Sequence, residues 1–404
     1  MATLIFITTS FPLGGITEST FIRPEIEALC SRFDRVVLVP VTDEGGAETL
    51  PSNAVVTRAL AGRLPLWRRL KGMFSLNVAR LLLADRRYIR SLKDLRGAIA
   101  VAVYTAFYRE RLSGLIEDLH LDPAETLVYN FWFTAPAIAA TEIEGIRSVS
   151  RAHGHDIYPE QGVYLSHSLR DAALAKMLGV YTASEAGKEY MHKHYPDRTA
   201  KIVTRRLGSR DPEGLNPGEG RPDETTLLCV ARTEAVKRVP MMCQLLKSWA
   251  ASRPDLNIRF IYVGDGSMMP MVRETVAETP SNLTVEILGA LDNSEVHRLL
   301  ATRHVDAVLL TSFSEGAPVI LLESLSYGVP VIATAVGGVP EIATAEVGAL
   351  LSPTPSAEEF IAVMNRELPL LAGKRQAARL RWETEFRASR LREDFARDLR
   401  AMLS

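Results

Sequence analysis

Short apolar runs recur along this chain, each followed by a stretch long enough to hold a helix, and that alternation leaves few folds open. In the first half the runs are Leu4–Ile7, Val36–Val39 and Thr126–Tyr129; in the second they are Thr226–Val230, Phe260–Val263, Val285–Leu288, Ala307–Leu310 and Val329–Ile332. Such runs alternating with helical periodicity signal parallel sheets covered by helices, so the fold class is α/β with a doubly wound unit in each half. The 404 residues are too many for one hydrophobic core. Ser209–Glu224 is rich in Pro, Gly and charge and carries no apolar period, which reads as an exposed linker between two domains. A long surface loop within one larger domain is the other reading of it. The tail from Arg379 to Leu403 is charged and helical in pattern, with Trp382, Phe386, Leu391 and Phe395 as packing residues.

Hydrophobic residues make up 47% of the chain, enough for a sizeable core, and the net charge of −1 gives no global pull toward nucleic acid or anionic lipid. Cys30, Cys229 and Cys243 are odd in number and widely spaced, so they read as reduced core thiols of a cytosolic protein. Met1–Thr8 lacks a basic leader and a small-residue cleavage site and reads as a first strand. No apolar stretch reaches the ~18 residues that span a bilayer, so the chain is expected to touch a membrane at most.

In open parallel sheets ligands bind beyond the carboxyl ends of the strands, so chemistry belongs in the strand-to-helix loops. Thr311–Pro318 is the richest of these. Gly316 lets a ligand approach the backbone, and Ala317, Pro318 and Val319 lead into a helix whose start offers free N–H groups and about half a positive charge. A diphosphate suits that position. Glu315, just before the helix, suits sugar hydroxyls, and Glu323, about two turns later, suits a ribose; the plain alternatives are a capping acid and a solvated surface residue. Gly337-Gly338 follows the next strand and falls beside the same place.

Arg232 and Lys237 follow the run ending at Val230, and the fork of one with the point charge of the other suits a leaving nucleoside diphosphate. A basic helix start on a surface is the alternative, and Arg238 reads as a solvated neighbour. The turns Gly264-Asp265-Gly266 and Gly289-Ala290-Leu291 permit a nucleotide to pass closely. His153, His155 and Asp156 share one short loop without a paired His or Cys cluster elsewhere, so no metal site is expected.

In this order the residues resemble the retaining glycosyltransferases of family 4, which have the GT-B fold: two Rossmann-like doubly wound domains facing across a cleft. The resemblance runs from Leu227 to Leu351, and the glutamates Glu315 and Glu323, with seven residues between them, are its most specific element. It implies that Arg232 and Lys237 bind the diphosphate, Glu315 the donor sugar and Glu323 the nucleotide ribose. In the first half Phe11–Gly15 resembles the family's first glycine-rich loop, placing Gly14 and Gly15 near the donor phosphates. Glu18–Ile26 is similar to members that build bacterial exopolysaccharides and lipopolysaccharides, and Arg151–Asp156 to the segment carrying a histidine, here His153, near the reacting sugar. Ser184-Glu185 resembles a later cleft-facing loop. Arg206-Leu207-Gly208-Ser209 stands where many members have Gly-Val-Asp, so no role passes to that position.

The domains expected are 1–205, contacting the acceptor through Glu18 and Asp156, 206–384, holding the donor, and a helix over 385–404 returning to the first domain. The expected reaction moves a hexosyl group from a nucleotide sugar, UDP-hexose on resemblance, with retention, to a saccharide or lipid-linked saccharide; no metal or further cofactor is required. A sugar-nucleotide epimerase or phosphorylase, or an inactive membrane-associated scaffold, are the rival readings. Arg58–Arg96 is basic with Trp67, Leu70, Phe74 and Leu81–Leu83 interleaved, which suits either an interfacial helix on anionic lipid or ordinary helices packed on the first sheet. The first option places the protein on the cytoplasmic face of the inner membrane.

Overall fold

The computed structural model describes residues 1–13, 16–42, 45–46, 49–158, 164–221 and 223–403, and leaves the side chains of 16–17, 19–21 and 24 aside. Gly14 and Gly15 lie outside the described residues. Two compact units form, Met1–Arg206 with Arg390–Ser404, and Leu207–Ser389.

The first unit holds a parallel sheet of β1 (Thr3–Thr8), β2 (Arg35–Pro40), β3 (Ala54–Val56), β4 (Thr126–Asn130), β5 (Arg147–Ala152), β6 (Gly179–Thr182) and β7 (Ile202–Thr204), ordered β3-β2-β1-β4-β5-β6-β7. The second holds β8 (Glu224–Val230), β9 (Asn257–Val263), β10 (Leu283–Gly289), β11 (Ala307–Leu310), β12 (Val331–Thr334) and β13 (Gly348–Leu351), ordered β10-β9-β8-β11-β12-β13 and also parallel. Both are Rossmann-like, the pair of domains that makes the GT-B fold. Alternating residues feed the two faces: Leu4 and Phe6 join one core, Ile5 and Ile7 the other, and Leu227 and Leu228 divide in the same way. Helices must therefore cover both sides, which is why these strands read as continuous apolar runs.

Strand order reverses between β1 and β4 in one sheet and between β8 and β11 in the other. There the loops after the two central strands leave in opposite directions and open a crevice, which is where ligands of such sheets sit. In the second sheet the two loops are 231–238 and 311–318.

Two expectations need correcting. Ser209–Glu224 belongs to the second unit and is stapled to it: Asn216 is buried, donates from Nδ2 to the carbonyls of Leu300 (2.6 Å) and Arg303 (2.8 Å), and accepts at Oδ1 from Val305 N (3.2 Å) and Arg375 Nη2 (2.7 Å). The tail is not one helix either. Helix Leu371–Arg381 runs into a wider turn over Trp382–Phe386, Arg387 is extended and pairs with Ser209, and a new helix spans Ala388–Ala401. Its Phe395 packs edge-on against Tyr129 and Tyr181 in the first unit's core.

Asn216→Ala strands two carbonyls and an amide in the interior, each costing about 1–3 kcal/mol when unpaired. We expect a loss on the order of 3 kcal/mol in the stability of the second unit, read by urea titration of the fluorescence of Trp249 and Trp382, both buried in that unit.

Candidate functional site

At the second sheet's reversal, loop 231–238 and loop 311–318 are fastened together. Phe313 N donates to Val236 O at 2.7 Å, and Arg238 donates to the carbonyls of Thr311 (2.8 Å), Ser312 (2.7 Å) and Pro353 (2.7 Å). Arg238 sits at φ 51°, a left-handed backbone, so its side chain turns back under the neighbouring loop. It is a structural clasp rather than the solvated neighbour its sequence position suggests. Lys237 Nζ meets Glu315 Oε1 at 2.5 Å, and Ser312 Oγ donates to the same oxygen at 2.6 Å. Glu315 is 8% exposed and Lys237 half-buried, so the pair stands at the floor of the crevice.

Helix Val319–Ser326 begins beside this pair, with Pro318 as its N-cap and no side chain capping its first amides. Those N–H groups, with Gly316 and Ala317 ahead of them, form the anion-seeking helix start expected from the sequence. Loop 335–341 closes against it. Gly338 N donates to Gly316 O at 3.1 Å, and a Cβ on Gly337 would lie 1.8 Å from Glu315 O. Only glycine, here at φ 49°, tolerates that approach.

The two glycine turns converge on the same rim. Gly264 N donates to Gly289 O (2.8 Å), Thr233 N donates to Asp265 O (2.8 Å), and Asp265 Oδ1 accepts from Gly266 N (2.8 Å). A Cβ at Gly264 would fall 1.9 Å from Ala231 O, so loops 231–238 and 263–268 touch backbone to backbone. Leu291 is half-buried in the loop that continues from Gly289. Glu323 is buried on the next helix, where Oε1 accepts from Asn293 Nδ2 (2.8 Å) and faces His297 Nε2 (3.2 Å). It is held by the helix that follows Leu291, and is no solvated surface acid. Arg232 stands exposed two residues beyond β8; its carbonyl accepts from Glu234 N at 2.9 Å, and its guanidinium makes no hydrogen bond or ion pair among the described residues.

In the first unit the expected residues gather near its own reversal point, and each is held by internal hydrogen bonds. Glu18 is buried and accepts from Thr9 N (2.8 Å), Ser10 N (2.6 Å), Phe11 N (3.0 Å) and Trp132 Nε1 (2.8 Å). Both oxygens help to shape the loop after β1. Asp156 is likewise enclosed, accepting from Phe133 N and His153 N at 2.5 Å each, and burial raises its carboxyl to about 6. It too is an internal anchor. His153 lies tilted against Phe131 and edge-on to Trp132, and its Nε2 donates to Phe131 O at 3.1 Å, a neutral tautomer. Burial, with Arg151 nearby, holds its pKa down to about 3. Ser312, Arg238, Asn293 and Trp132 were missed by the sequence reading; the Ser-x-x-Glu spacing of Ser312 and Glu315 is the one local signal that pointed to such a contact.

These shifts oppose each other. His153 folds with a pKa below its free value of 6.5, so it withdraws stability as pH falls from 6.5 toward 3. Asp156 folds with a pKa above its free value of 3.8, so it withdraws stability as pH rises from 3.8 toward 6. Between about pH 4 and 6 they offset each other. Asp156→Asn should unmask the histidine: its stability should fall by about 2 kcal/mol more than wild type between pH 6.5 and 4.5, at ~1.4 kcal/mol per unit. Parallel denaturation curves at the two pH values check this.

The sequence model of "glycosyl transferases group 1" matches residues 216–377, the segment holding every loop of the second site. Among curated proteins, the chain is 33% identical over 119 residues to the Bacillus anthracis N-acetyl-alpha-D-glucosaminyl L-malate synthase, covering 30% of this chain and 29% of that one. It is 27% identical over 203 residues to the Erwinia amylovora amylovoran biosynthesis glycosyltransferase AmsK, covering 46% and 47%. The chain spans about a third of the length of the first curated relatives it matches, which are phosphatidylinositol N-acetylglucosaminyltransferase chains of Arabidopsis thaliana and Homo sapiens. Over 99% of both chains its fold superposes on Anabaena HepE in complex with UDP and glucose, at 17% identity and a TM-score of 0.66.

Proposed function

We propose that this chain, whose residues 216–377 match the model of the group 1 glycosyl transferases, transfers a hexosyl group from a nucleotide sugar to a saccharide or lipid-linked saccharide in surface polysaccharide assembly. The observation that carries this reading is the Lys237–Glu315 contact at the uncapped start of helix Val319–Ser326. A cation, a carboxylate and free amides within one crevice offer a diphosphate and a sugar separate partners. The diphosphate takes the helix amides, Lys237 and the exposed Arg232. Glu315, on the far side of the lysine, takes sugar hydroxyls.

Charge develops on the diphosphate as the glycosidic bond breaks, and Arg232, Lys237 and the helix start stabilise it without a metal being required. Attack by the acceptor hydroxyl from the face the diphosphate leaves gives retention at the sugar carbon. UDP-hexose is the donor we favour. AmsK, named for the synthesis of a polysaccharide, supports the acceptor class.

The surface between residues 58 and 96 supports contact with an anionic membrane. Helix Leu66–Met73 buries none of its residues, and Leu66, Trp67 and Phe74 are 68%, 62% and 88% exposed. Helix Leu76–Ala84 differs: Val78 and Leu81 pack on Ala98, Ala102 and Val103 of helix Leu92–Asp118, not on the sheet. Half of the stretch is thus an ordinary surface helix. The other half keeps a bare apolar face among Arg63, Arg69 and Lys71, the arrangement of an interfacial helix. Among the described residues no helix is long and apolar enough to cross a membrane.

Lys237→Ala and Glu315→Ala should each cut transfer from a UDP-hexose by on the order of 100-fold, as loss of one stabilising contact does at such sites; Glu315→Ala should melt near wild type, whereas Lys237→Ala, which leaves the Glu315 carboxylate without its cation, should melt earlier and is assayed below that temperature. Near wild-type turnover in both variants would sink the assignment. For the membrane, the double reversal Arg68→Glu/Arg69→Glu should lower flotation with phosphatidylglycerol vesicles at least tenfold, at about 1 kcal/mol per basic residue. Equal flotation with neutral vesicles would count against it.

A further inference from the structure

A second cavity lies wholly in the first unit, away from the residues assigned so far. It encloses about 630 Å³ between the amino end of helix Leu92–Asp118 and helices His167–Lys176 and Glu185–His194, within the size range of small-molecule sites. Its walls are aromatic. Tyr88 stacks on His167 at 4.5 Å, His167 stacks on Tyr195 at 4.8 Å, and Tyr190 stacks on His194 at 4.1 Å.

Arg170 lines this cavity and is 3% exposed, yet among the described residues its Nε and Nη2 have no hydrogen-bond partner. An unpaired guanidinium out of water is costly and calls for an explanation. The carboxylates nearby do not supply one. Asp85 accepts from Tyr164, Ser166 and the amide of Ser168, and Asp156, close enough to be felt by Arg170, is bound to two backbone amides. The guanidinium rests instead over the Phe133 ring, at 4.3 Å. Arg90 and Lys93 add positive charge at the mouth, opposed there by Asp94, whose carboxylate accepts from the Arg90 amide.

We propose that this cavity binds an anionic saccharide, a sugar bearing a carboxylate or a phosphate, with Arg170 gripping the acid group and the stacked rings lying against the sugar's C–H faces. A planar guanidinium whose Nε–H and Nη2–H stand free along one edge matches either acid in bidentate fashion, and a neutral sugar leaves it unsatisfied. If the chain is the glycosyltransferase proposed above, this site selects an acidic acceptor; that extension rests on that reading, whereas binding itself does not.

Calorimetric titration of the full chain with glucuronic acid, glucose 1-phosphate, glucose and inorganic phosphate tests it. Both acidic sugars should bind at least tenfold more tightly than glucose or phosphate, and whichever binds better identifies the acid. Arg170→Gln should abolish that preference. Should that variant melt early, Tyr88→Ala and Lys93→Met, both at the exposed mouth, should each weaken acidic-sugar binding at least threefold. Glucose binding as well as the acidic sugars, or variants binding like wild type, would overturn the site. UDP titrated into the same samples separates the two readings: UDP binding without acidic-sugar binding removes this cavity alone, and the reverse leaves the cavity standing while the donor assignment falls.

Discussion

Glu315 could not be buried without Lys237. A carboxylate largely withdrawn from water is tolerable only when a cation and a donor meet it, and here Lys237 and Ser312 converge on one oxygen. That requirement fixes the geometry around it. Loop 231–238 must lie against loop 311–318 to deliver the lysine, and Arg238 holds it there through three carbonyls. Loop 335–341 can pack on the same spot only because Gly337 has no side chain. The helix start, the ion pair and the glycine turns are consequences of one backbone arrangement at a sheet's reversal point.

The first unit has one such pair, Glu25 with the buried Arg151 at 3.3 Å, but three other buried carboxylates, Glu18, Asp85 and Asp156, are satisfied mainly by loop amides and hydroxyls. Each folds an irregular segment around itself, as a cap folds a helix end, and each is thereby withdrawn from reaction. The basic residue left over, Arg170, carries no motif at all.

Strand runs were legible because a sheet covered on both faces needs apolar residues at every position, and Leu4–Ile7 or Ala307–Leu310 admit no other reading. The glycine-marked loops of the second unit were legible because close backbone approach demands glycine, and Gly264, Gly316 and Gly337 marked it. What stayed hidden was side-chain direction. Nothing local shows that Arg238 adopts a left-handed backbone and turns inward, that Asn216 pins an apparently free linker, or that Glu18 meets Trp132 across more than a hundred residues of sequence. Such contacts depend on which loops a fold brings together, and composition does not encode that.

The exposed helix Leu66–Met73 follows from the same logic of satisfaction. Its neighbour Leu76–Ala84 finds apolar partners on helix Leu92–Asp118 and buries Val78 and Leu81 there. Leu66, Trp67, Leu70 and Phe74 find none, yet their segment remains helical, and Arg68 reaches Glu110 at 3.1 Å. A bare apolar face of this size on a chain of near-neutral net charge is a liability unless something covers it. We propose an anionic lipid surface as that cover, because a protein interface would have to desolvate Arg69 and Lys71, whereas headgroups would leave them hydrated and paired.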